Sequence, residues 1–475
     1  MSINRQDQAM VFGVETDRTD NLSKQLDALS AFASSLNVDQ LSPETLQIAK
    51  ACLLYGLAVG VGTINARPAL IATAASRAAE DGNNGPATRL HDATRTTIGN
   101  AAFANAVLLS GRVQGDSHIC GHLGGVIIPA GLAAIESAGG SGSELLASLV
   151  AGYEVALRIG RDHASDLSRK GFRTTPCYGV FGAAVAIARA RKLDYSQIRN
   201  TINMSVSFAA GLREHVDAGT EESPFQAGFA ARNATHIVDL IELGVDAAAS
   251  GLYGANGFYQ AFGNPTQQGY GARLDNELGE QYEFTNLTIK RYPACQFVRA
   301  VIRGLSHLRT QAKGQQPELI VLHLNPFEAN FIGMRFAGPF HSSAQTVMSA
   351  PFCAALAWQY GSVTYQDLRI FDNQAINALV ERIEIIADDK RAMYEPLVTV
   401  MLADGSSIEW EEKKDISTDQ MGWDAAVAMT YQLYDEAGVP RNIADDLIVC
   451  VDDITNSAKI DTLVSQVCKA THFRS

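Results

Sequence analysis

The residues best suited to proton chemistry lie in one short, glycine-rich segment. Asp116, His118 and His122 fall within seven residues, between Gly111 and Pro129. Glycines permit tight turns that could project all three side chains into a cleft. An imidazole acts as a general acid or base near neutral pH, and a neighbouring carboxylate can orient it or carry a second proton. Proton chemistry is the favoured interpretation; a metal site formed by the same three residues and a polar structural loop are the alternatives.

A second candidate segment combines cations with a Tyr-Pro turn. Lys290 and Arg291 precede Tyr292, and a helix that would carry Arg299 is predicted to begin near Cys295. Cations near a helix start can bind carboxylates jointly with free backbone N–H groups. A solvated basic turn fits the same spacing equally well.

Two weaker segments carry further arginines and a histidine. Arg173 lies in a Gly-Phe-Arg-Thr-Thr-Pro stretch before a helix of small residues, and Arg213 and His215 lie in a predicted loop. A lone arginine or histidine is more typical of the surface, or of a hydrogen-bonded place in the core, than of a site.

Composition and charge exclude several classes of function. The chain has 475 residues, of which 47% are apolar, which is enough for a sizeable core and for about three domains. Lysine and arginine number 38 against 51 acidic residues, for a net charge of −13. Nucleic acids and anionic membrane surfaces attract basic proteins, so neither is an expected partner. A small anionic substrate remains compatible, because a local basic pocket can lie within an acidic surface.

The cysteines and the N-terminus indicate a cytoplasmic protein. The seven cysteines are at least 18 residues apart, which excludes CxxC zinc sites and favours reduced thiols. Residues 1–25 are polar and show no secretory signal, and the apolar stretch 51–65 is shorter than a bilayer span. We interpret that stretch as a buried core helix.

Local signals place the elements that must position these residues. Ser42-Pro43-Glu44 and the capping box beginning at Asp194 predict helix starts. The stretch 139–143 (GGSGS) is read as a loop between helices. β-Branched runs predict strands, and Asp404-Gly405 predicts a hairpin turn. The predicted strands are Leu319–Leu324, Arg382–Ala387, Leu397–Leu402 and Ser406–Trp410. Helix-like sequence at Gln345–Gln359 should break or kink at Pro351.

The order of these elements predicts a mainly α fold with a smaller α/β domain. Residues 1–22 are interpreted as a loose tail and 23–275 as the first part of a large helical domain. Residues 276–424 form an inserted α/β lid, and 425–475 return to the helical domain. We therefore expect the helical domain to be built from both chain ends.

Several motifs together resemble the MmgE/PrpD family. They are the Asp/His segment ending at Pro129, the stretches QAGFAARNA (226–234) and YGANGF (253–258), and KRYPAC (290–295). The likeness covers roughly residues 25–470. The family includes 2-methylcitrate dehydratase, cis-aconitate decarboxylase, iminodisuccinate epimerase and fungal alkylcitrate dehydratase-like proteins. The resemblance implies a helical large domain, an α/β lid, a cleft between them and a homodimer, with no metal and no organic cofactor.

The resemblance also assigns residues. His122 matches the family histidine that ends the Asp/His segment, and Asp116 matches one of its acids. Lys290, Tyr292 and Cys295 match the K-x-Y-P-x-C motif. Four positions depart from the decarboxylase pattern: Arg173 replaces a histidine, Ser223 a lysine, Phe352 a tyrosine, and Arg299 a histidine common in the family. These departures disfavour cis-aconitate decarboxylation and indicate a different substrate or reaction.

The shared chemistry of such enzymes is a carbanion next to a carboxylate. Lys290, Arg173 and Arg213 are expected to stabilise its charge, with Arg291 and Arg299 as further carboxylate ligands. His122 is the expected base or acid, oriented by Asp116. His118 or Tyr292 is the expected second proton carrier. The best-supported prediction is a cofactor-independent lyase, a 2-methylcitrate- or alkylcitrate-type dehydratase. An epimerase of an iminodisuccinate-like diacid, a cis-aconitate-type decarboxylase and a non-catalytic binding protein are the alternatives.

Overall fold

The helical and the β-branched stretches of the sequence correspond to a large helical part and a smaller α/β part of the structure. The computed structural model describes residues 5–79, 84–264, 267, 269–413 and 419–473. Within these residues it has twenty α-helices and six β-strands. The predicted fold class, mainly α with a smaller α/β domain, is confirmed.

The helices of the first part of the chain are α1 (Arg5–Ser35), α2 (Pro43–Val61), α3 (Arg67–Ala78), α4 (Ile98–Ser110), α5 (Gly124–Ala138), α6 (Gly142–Gly160), α7 (Ala164–Arg169), α8 (Thr174–Ala190), α9 (Tyr195–Ser205), α10 (His215–Ala218), α11 (Ser223–Glu242) and α12 (Phe258–Phe262). A two-stranded antiparallel ribbon, β1 (Ala87–Arg89) and β2 (Thr94–Thr96), lies between α3 and α4. The chain returns to this domain with α18 (Trp423–Ala437), α19 (Arg441–Asp452) and α20 (Asp461–Thr471).

The first helix differs from the sequence-based expectation. Residues 1–22 were expected to form a loose tail, but α1 already begins at Arg5. From Leu22 onward its apolar residues recur at helical spacing and are buried against the domain, Leu26 and Leu29 completely. Extending an existing helix requires no new nucleus, which accounts for a helical rather than a loose segment before the buried turns.

The predicted helix starts and the small-residue packing are present. Ser42 accepts a hydrogen bond from the backbone N–H of Thr45, and Asp194 forms its capping box with Gln197. The helices α6 and α8 approach so closely that a Cβ on Gly152 would lie 2.4 Å from the carbonyl oxygen of Gly182. Glycine is therefore required for this helix contact.

The apolar helix α2 lies in the core. It is the one helix, within the described residues, long and apolar enough to cross a membrane, and 72% of that window is buried in the protein. The core helix of a soluble protein passes the same test, and this burial agrees with the prediction made for residues 51–65.

The α/β domain is built on a four-stranded mixed sheet of order β4-β3-β5-β6. Its strands are β3 (Pro317–Leu324), β4 (Ile383–Ala387), β5 (Leu397–Leu402) and β6 (Ser407–Glu411). β3 is parallel to β4 and antiparallel to β5, and β5 pairs with β6 through the predicted hairpin. Gly405 adopts a φ of 82° in that turn, which favours glycine.

Helices cover the sheet and complete the second core. They are α13 (Arg299–Gln311), α14 (Pro326–Ala329), α15 (Ser343–Met348), α16 (Ala350–Tyr360) and α17 (Gln374–Val380). The predicted break at Pro351 is present: α15 ends at Met348, and Ser349 caps α16 by accepting from the N–H of Phe352. Proline is accommodated in the first turn of α16, where its missing N–H loses no helical bond.

The two hydrophobic cores show where the chain passes between domains. The larger core includes residues up to Ile289 and resumes at Met421, while the second runs from Ala294 to Leu402. The sequence analysis placed these transitions at 275/276 and 424/425. The segment between 276 and Ile289 has few periodic apolar residues but packs on the helical domain, a non-local contact that periodicity does not reveal.

Candidate active site

A cavity of about 740 Å³ lies between the helical and α/β domains. Its lining comes mainly from three segments of the helical domain, 111–122, 164–175 and 213–224, and from segments 290–297 and 327–348. Cavities of this size and position commonly bind small molecules.

Non-local backbone hydrogen bonds bring the helical-domain loops together. The segments 171–173 and 211–213 are joined by two N–H···O=C bonds of 2.9 and 3.0 Å. The N–H of His122 donates to the hydroxyl of Thr175 at 3.0 Å. The three candidate segments, far apart in sequence, therefore form one wall.

Glycine is required where two of these loops meet. Gly121 has a φ of +104°, and a Cβ there would lie 2.7 Å from the backbone nitrogen of Thr175. Any other residue would strain the backbone and push the loops apart. This close approach fixes His122, the next residue, against the start of α8.

The His122 imidazole is arranged as a base. Its Nδ1 lies 2.6 Å from the backbone carbonyl oxygen of Asp116, and because a carbonyl only accepts, Nδ1 must carry the proton. Nε2 has no hydrogen-bond partner among the described residues, and the side chain lines the cavity. Burial, with the nearby charge of Lys290, holds the pKa of His122 well below its usual value. The ring is therefore neutral at pH 7, with a lone pair available on Nε2.

Lys290 places a buried cation in the same cavity. The side chain is 1% exposed, and its Nζ donates to the carbonyl oxygen of Val113 at 2.6 Å. Burial, together with the charges of Arg299 and Arg173, lowers the pKa of Lys290 to about 7 although the nearby Cys295 thiol opposes the shift. An ammonium that titrates near neutrality can stabilise an anion and also donate a proton.

Two arginines extend the positive charge along the helical-domain wall. Arg173 donates to the carbonyl of Ser223 at 2.7 Å, and Arg213 donates to the hydroxyl of Ser168 at 2.6 Å. Neither forms a salt bridge among the described residues, and both line the cavity. Burial lowers the pKa of Arg173 to about 10, so it stays charged at neutral pH. Cations without carboxylate partners in a cavity are suited to binding a carboxylate ligand.

His118 lines the cavity, but both of its ring nitrogens are engaged. Nε2 lies 3.3 Å from Glu283, and Nδ1 accepts from the N–H of Cys120 at 3.3 Å. Glu283 also accepts from Arg161 at 2.6 Å. These hydrogen bonds outweigh burial and lower the pKa of Glu283 to about 2. Because both nitrogens already bind protein groups, the geometry disfavours His118 as the expected second proton carrier.

Asp116 lies behind the site and does not line the cavity. Its carboxylate accepts from the N–H of Gly124 at 3.0 Å and from the hydroxyl of Tyr153 at 2.6 Å. Burial raises its pKa to about 6 despite these donors. Asp116 does contact His122, but through its backbone carbonyl and not through the carboxylate that was expected to orient the imidazole.

Three residues proposed from the basic Tyr-Pro segment lie outside the cavity lining. Arg299 donates to the carbonyl of Ile289 at 2.8 Å and lies 3.6 Å from Asp419. Arg291 lies 3.8 Å from the same carboxylate, and Tyr292 packs at the edge of the second core. Of the charged and tyrosine candidates in this segment, Lys290 lines the cavity, and Cys295 from the same motif lines it as well.

Two departures from the decarboxylase pattern also separate in space. Ser223 lines the cavity, where its carbonyl accepts from Arg173. Phe352 is fully buried in the second core, with its ring centroid 4.6 Å from that of Phe340. Position 352 therefore contributes to packing and position 223 to the site.

The structure adds His215, which the sequence analysis treated as a weak candidate. Its Nδ1 bonds to the carbonyl of Leu212 at 3.0 Å, as His122 bonds to a carbonyl, and the side chain lines the cavity. Burial and the charge of Arg173 lower the pKa of His215. The only sequence signal for His215 was its place in a predicted loop. The pairing of 171–173 with 211–213 brings it to the cavity, and that pairing is non-local, so the sequence around His215 does not reveal it.

The described residues do not gather a metal-binding cluster. Among them, no group of three or more histidine, cysteine, aspartate or glutamate side chains is placed to hold a metal ion. The seven cysteines are free thiols. Of the charged groups and imidazoles that line the cavity, Arg169, Glu221 and His118 pair with Asp166, Arg67 and Glu283. The others are Lys290, Arg173, Arg213, His122 and His215, a set suited to anion binding and proton transfer.

Comparison with known families agrees with the division of the chain into a helical and an α/β domain. The model of the MmgE/PrpD N-terminal domain matches residues 27–270, and the model of the MmgE/PrpD C-terminal domain matches residues 292–425. No curated protein matches the chain. The two matched segments cover most of the chain and correspond to the helical and α/β domains. The chain therefore belongs to the MmgE/PrpD family, whose members are generally enzymes of the hydro-lyase type.

Proposed function

We propose that the protein is a lyase that dehydrates a citrate-type tricarboxylate of the 2-methylcitrate or alkylcitrate class. One observation carries the proposal: the neutral His122 imidazole, with Nε2 available, shares a cavity with the buried ammonium of Lys290. A base and a proton-donating cation are the two groups that loss of water from a hydroxy acid requires. In this reaction the acid and the base are both protein side chains, and no cofactor takes part.

In the first step His122 removes a proton. Nε2 takes the hydrogen from the carbon next to a carboxylate, and the electron pair of that C–H bond delocalises onto the carboxylate oxygens. Arg173 and Lys290 stabilise this charge, and each well-placed donor contributes about 3–4 kcal/mol. The buried setting strengthens these interactions, because little water competes with them.

In the second step the hydroxyl group leaves. The electron pair forms the carbon–carbon double bond, the C–O bond breaks, and Lys290 gives a proton to the departing oxygen, which leaves as water. A pKa of about 7 suits this transfer, since the ammonium is populated at neutral pH and still acidic enough to donate. The proton taken by His122 then passes to solvent and Lys290 is reprotonated, which restores both groups.

Arg213 is assigned to a remaining carboxylate of the substrate. Its guanidinium faces the same cavity, held through Ser168 and through stacking 4.3 Å from the ring centroid of Phe331. Holding the acid at two points would orient the C–H bond toward His122.

A second candidate, epimerisation of a diacid, rests on His215. This second neutral imidazole faces the same cavity, and Arg173 lowers the pKa of both His122 and His215. If the proton returned through His215 instead of a hydroxyl leaving, the same carbanion would give the inverted product.

Proton NMR in deuterated water separates these outcomes. The panel would contain citrate, 2-methylcitrate, alkylcitrates, cis-aconitate and iminodisuccinate. Alkene signals from a citrate support dehydration, whereas deuterium at the α carbon without alkene supports epimerisation. Release of carbon dioxide from cis-aconitate would establish decarboxylation and overturn the proposal.

Matched variants test the site itself. His122→Asn should reduce turnover by about 10²–10⁴-fold, because the base is lost. His236→Asn is the control, since His236 is an exposed histidine that does not line the cavity. Full activity in a folded His122→Asn variant would show that the base assignment is wrong.

A further inference from the structure

Tyr394 has a backbone conformation that is unusual for a tyrosine. Its φ is +68°, in the left-handed region, where a bulky side chain crowds the backbone. Among the described residues six non-glycine residues have a positive φ, and two of them, Val113 and Tyr394, line the cavity. Val113 is the residue whose carbonyl accepts from Lys290. Because unfavourable backbone conformations concentrate at functional sites, the conformation of Tyr394 makes it a candidate for a role in the cavity.

Two contacts hold Tyr394 in this conformation. Its backbone N–H donates to Oε1 of Glu328 at 2.8 Å, and Glu328 is 1% exposed. Its ring stacks on that of Phe297, with the centroids 5.8 Å apart and the ring planes at 26°. The first contact fixes the backbone and the second fixes the plane of the ring, so the hydroxyl group has a defined position.

The Tyr394 hydroxyl has a hydrogen to donate into the cavity. The Ser117 hydroxyl donates to the amide oxygen of Gln296, so the amide nitrogen of Gln296 is the atom that donates to the Tyr394 oxygen, at 3.5 Å. Within the described part of the chain, no acceptor binds the phenolic hydrogen. Partial burial raises the pKa of Tyr394, so the hydroxyl keeps this hydrogen at neutral pH. Tyr394 therefore offers a neutral hydrogen-bond donor to a ligand.

The other tyrosine of the cavity lining is not available in this way. The hydroxyl of Tyr365 donates to the carbonyl oxygen of Gly111 at 3.3 Å. Its hydrogen bond is thus made within the protein, whereas that of Tyr394 is left for a bound molecule.

The partners of Tyr394 indicate which ligand atom it would bind. Carboxylates of a ligand are matched by the cations Lys290, Arg173 and Arg213 in the same cavity. The groups that hydrogen-bond to Tyr394 are an amide and a carboxyl group, and neither is a cation. A neutral oxygen, which needs no opposite charge, is the better complement, and in a hydroxy acid that atom is the hydroxyl oxygen.

We infer, building on the proposed function, that Tyr394 is a further substrate-contacting residue, whose phenolic hydroxyl donates to the hydroxyl oxygen of the acid. Tyr394 keeps its own proton, and its hydrogen bond stabilises the oxygen to which Lys290 gives a proton as water leaves. An acid without this hydroxyl would leave the phenol unpaired. Tyr394 therefore selects hydroxy acids over acids that lack the hydroxyl group.

A pair of ligands tests this selection. Tricarballylate carries the same three carboxylates as citrate and has no hydroxyl group. Their dissociation constants would be measured by calorimetry in His122→Asn, which lacks the proposed base, so that citrate is not turned over. Adding Tyr394→Phe should weaken citrate binding about three- to tenfold and tricarballylate binding by less than about twofold. Damage to the fold or to the cations would weaken both acids alike, so equal changes for the two acids would overturn the inference.

Kinetics test the same hydroxyl in the reaction. Tyr394→Phe removes one oxygen atom and keeps the ring, and it should lower kcat/KM for dehydration about ten- to a hundredfold. Tyr360→Phe is the matched control, because Tyr360 is 46% exposed and does not line the cavity, and it should keep the activity of the parent. Parental kcat/KM in Tyr394→Phe would refute the contact with the reacting hydroxyl.

The two measurements separate this inference from the proposed function. If no acid is dehydrated but Tyr394→Phe still weakens citrate and not tricarballylate, Tyr394 recognises the hydroxyl and the proposed reaction is wrong. If dehydration is found and Tyr394→Phe changes neither the ligand pair nor kcat/KM, the reaction stands and the role of Tyr394 is refuted.

Discussion

Replacing Lys290 by methionine should make the protein more stable and much less active. Methionine has a similar length but no charge, so the substitution removes the ammonium and largely keeps the volume. The side chain is 1% exposed, and burial is the main reason that its pKa falls from 10.5 to about 7. This lowering corresponds to about 5 kcal/mol against the charged form in the folded state.

The stability change follows from that cost. Below pH 7 the lysine is protonated in both the folded and the unfolded chain, so the whole penalty is present. As the pH rises toward 10.5 the folded chain holds a neutral amine and the penalty disappears. Losing the hydrogen bond to Val113 costs about 1 kcal/mol. We therefore expect Lys290→Met to raise the free energy of unfolding by about 2–4 kcal/mol at pH 6.5, and by less at pH 9.

The activity change has the opposite sign. Removing one charge-stabilising group from a buried site costs about 10²–10³ in rate. The assay is urea unfolding at the two pH values together with kcat/KM for the best citrate-type substrate. Lys50→Met is the control, because Lys50 is also buried but is paired with Asp452 outside the cavity. That variant should lose stability and keep activity.

Two results would refute this reasoning. A folded Lys290→Met variant that is less stable than the parent at pH 6.5 would show that the buried ammonium is compensated in the empty site. A loss of activity smaller than tenfold would show that Lys290 does not stabilise the reacting anion.

Three further predictions concern the same site. The pH profile of kcat/KM should fall above about pH 7, as Lys290 loses its proton, and at low pH, as His122 becomes protonated; a flat profile between pH 6 and 8 would contradict the assignment. His118→Asn should keep kcat/KM within about tenfold of the parent, because both nitrogens of His118 already bind protein groups. A loss as large as that of His122→Asn would show that His118 carries a proton after all. Arg173→Met should raise KM by about ten- to a hundredfold, because Arg173 is assigned to substrate binding. Arg299→Met should lower the free energy of unfolding by about 1–3 kcal/mol and leave KM unchanged. If kinetics and denaturation gave the reverse pattern, Arg299 would be the substrate ligand and Arg173 the structural group.

Local physics explains why many elements could be predicted. The caps at Ser42 and Asp194, the turn at Gly405 and the break before Pro351 each depend on residues within a few positions of one another. Capping hydrogen bonds, a positive φ and a missing N–H act over one turn of chain. The same argument places His122 and Lys290 in glycine- or proline-containing loops, but it does not say which way their side chains face.

Contacts with distant parts of the chain decide which way the side chains of one segment face. His118 and His122 are equivalent candidates by type and spacing, yet Glu283 and Cys120 bind the first, whereas a backbone carbonyl leaves the second with Nε2 available. Tyr292 follows Lys290 by two residues, but it packs at the edge of the hydrophobic core of the α/β domain. No local signal distinguishes these outcomes, because each depends on a surface made by another part of the chain.

Periodicity, caps and motifs lie in consecutive residues, and they were enough to predict the fold class, the family and the segments that carry the candidate residues. The folded chain selects which of those residues line the cavity. It paired 171–173 with 211–213 and so brought His215 beside Arg173. It also removed Lys290 and His122 from water, and this desolvation sets their protonation at neutral pH. Burial and non-local hydrogen bonds exist only once the chain has folded, which is why composition and spacing could name the candidates but not choose among them.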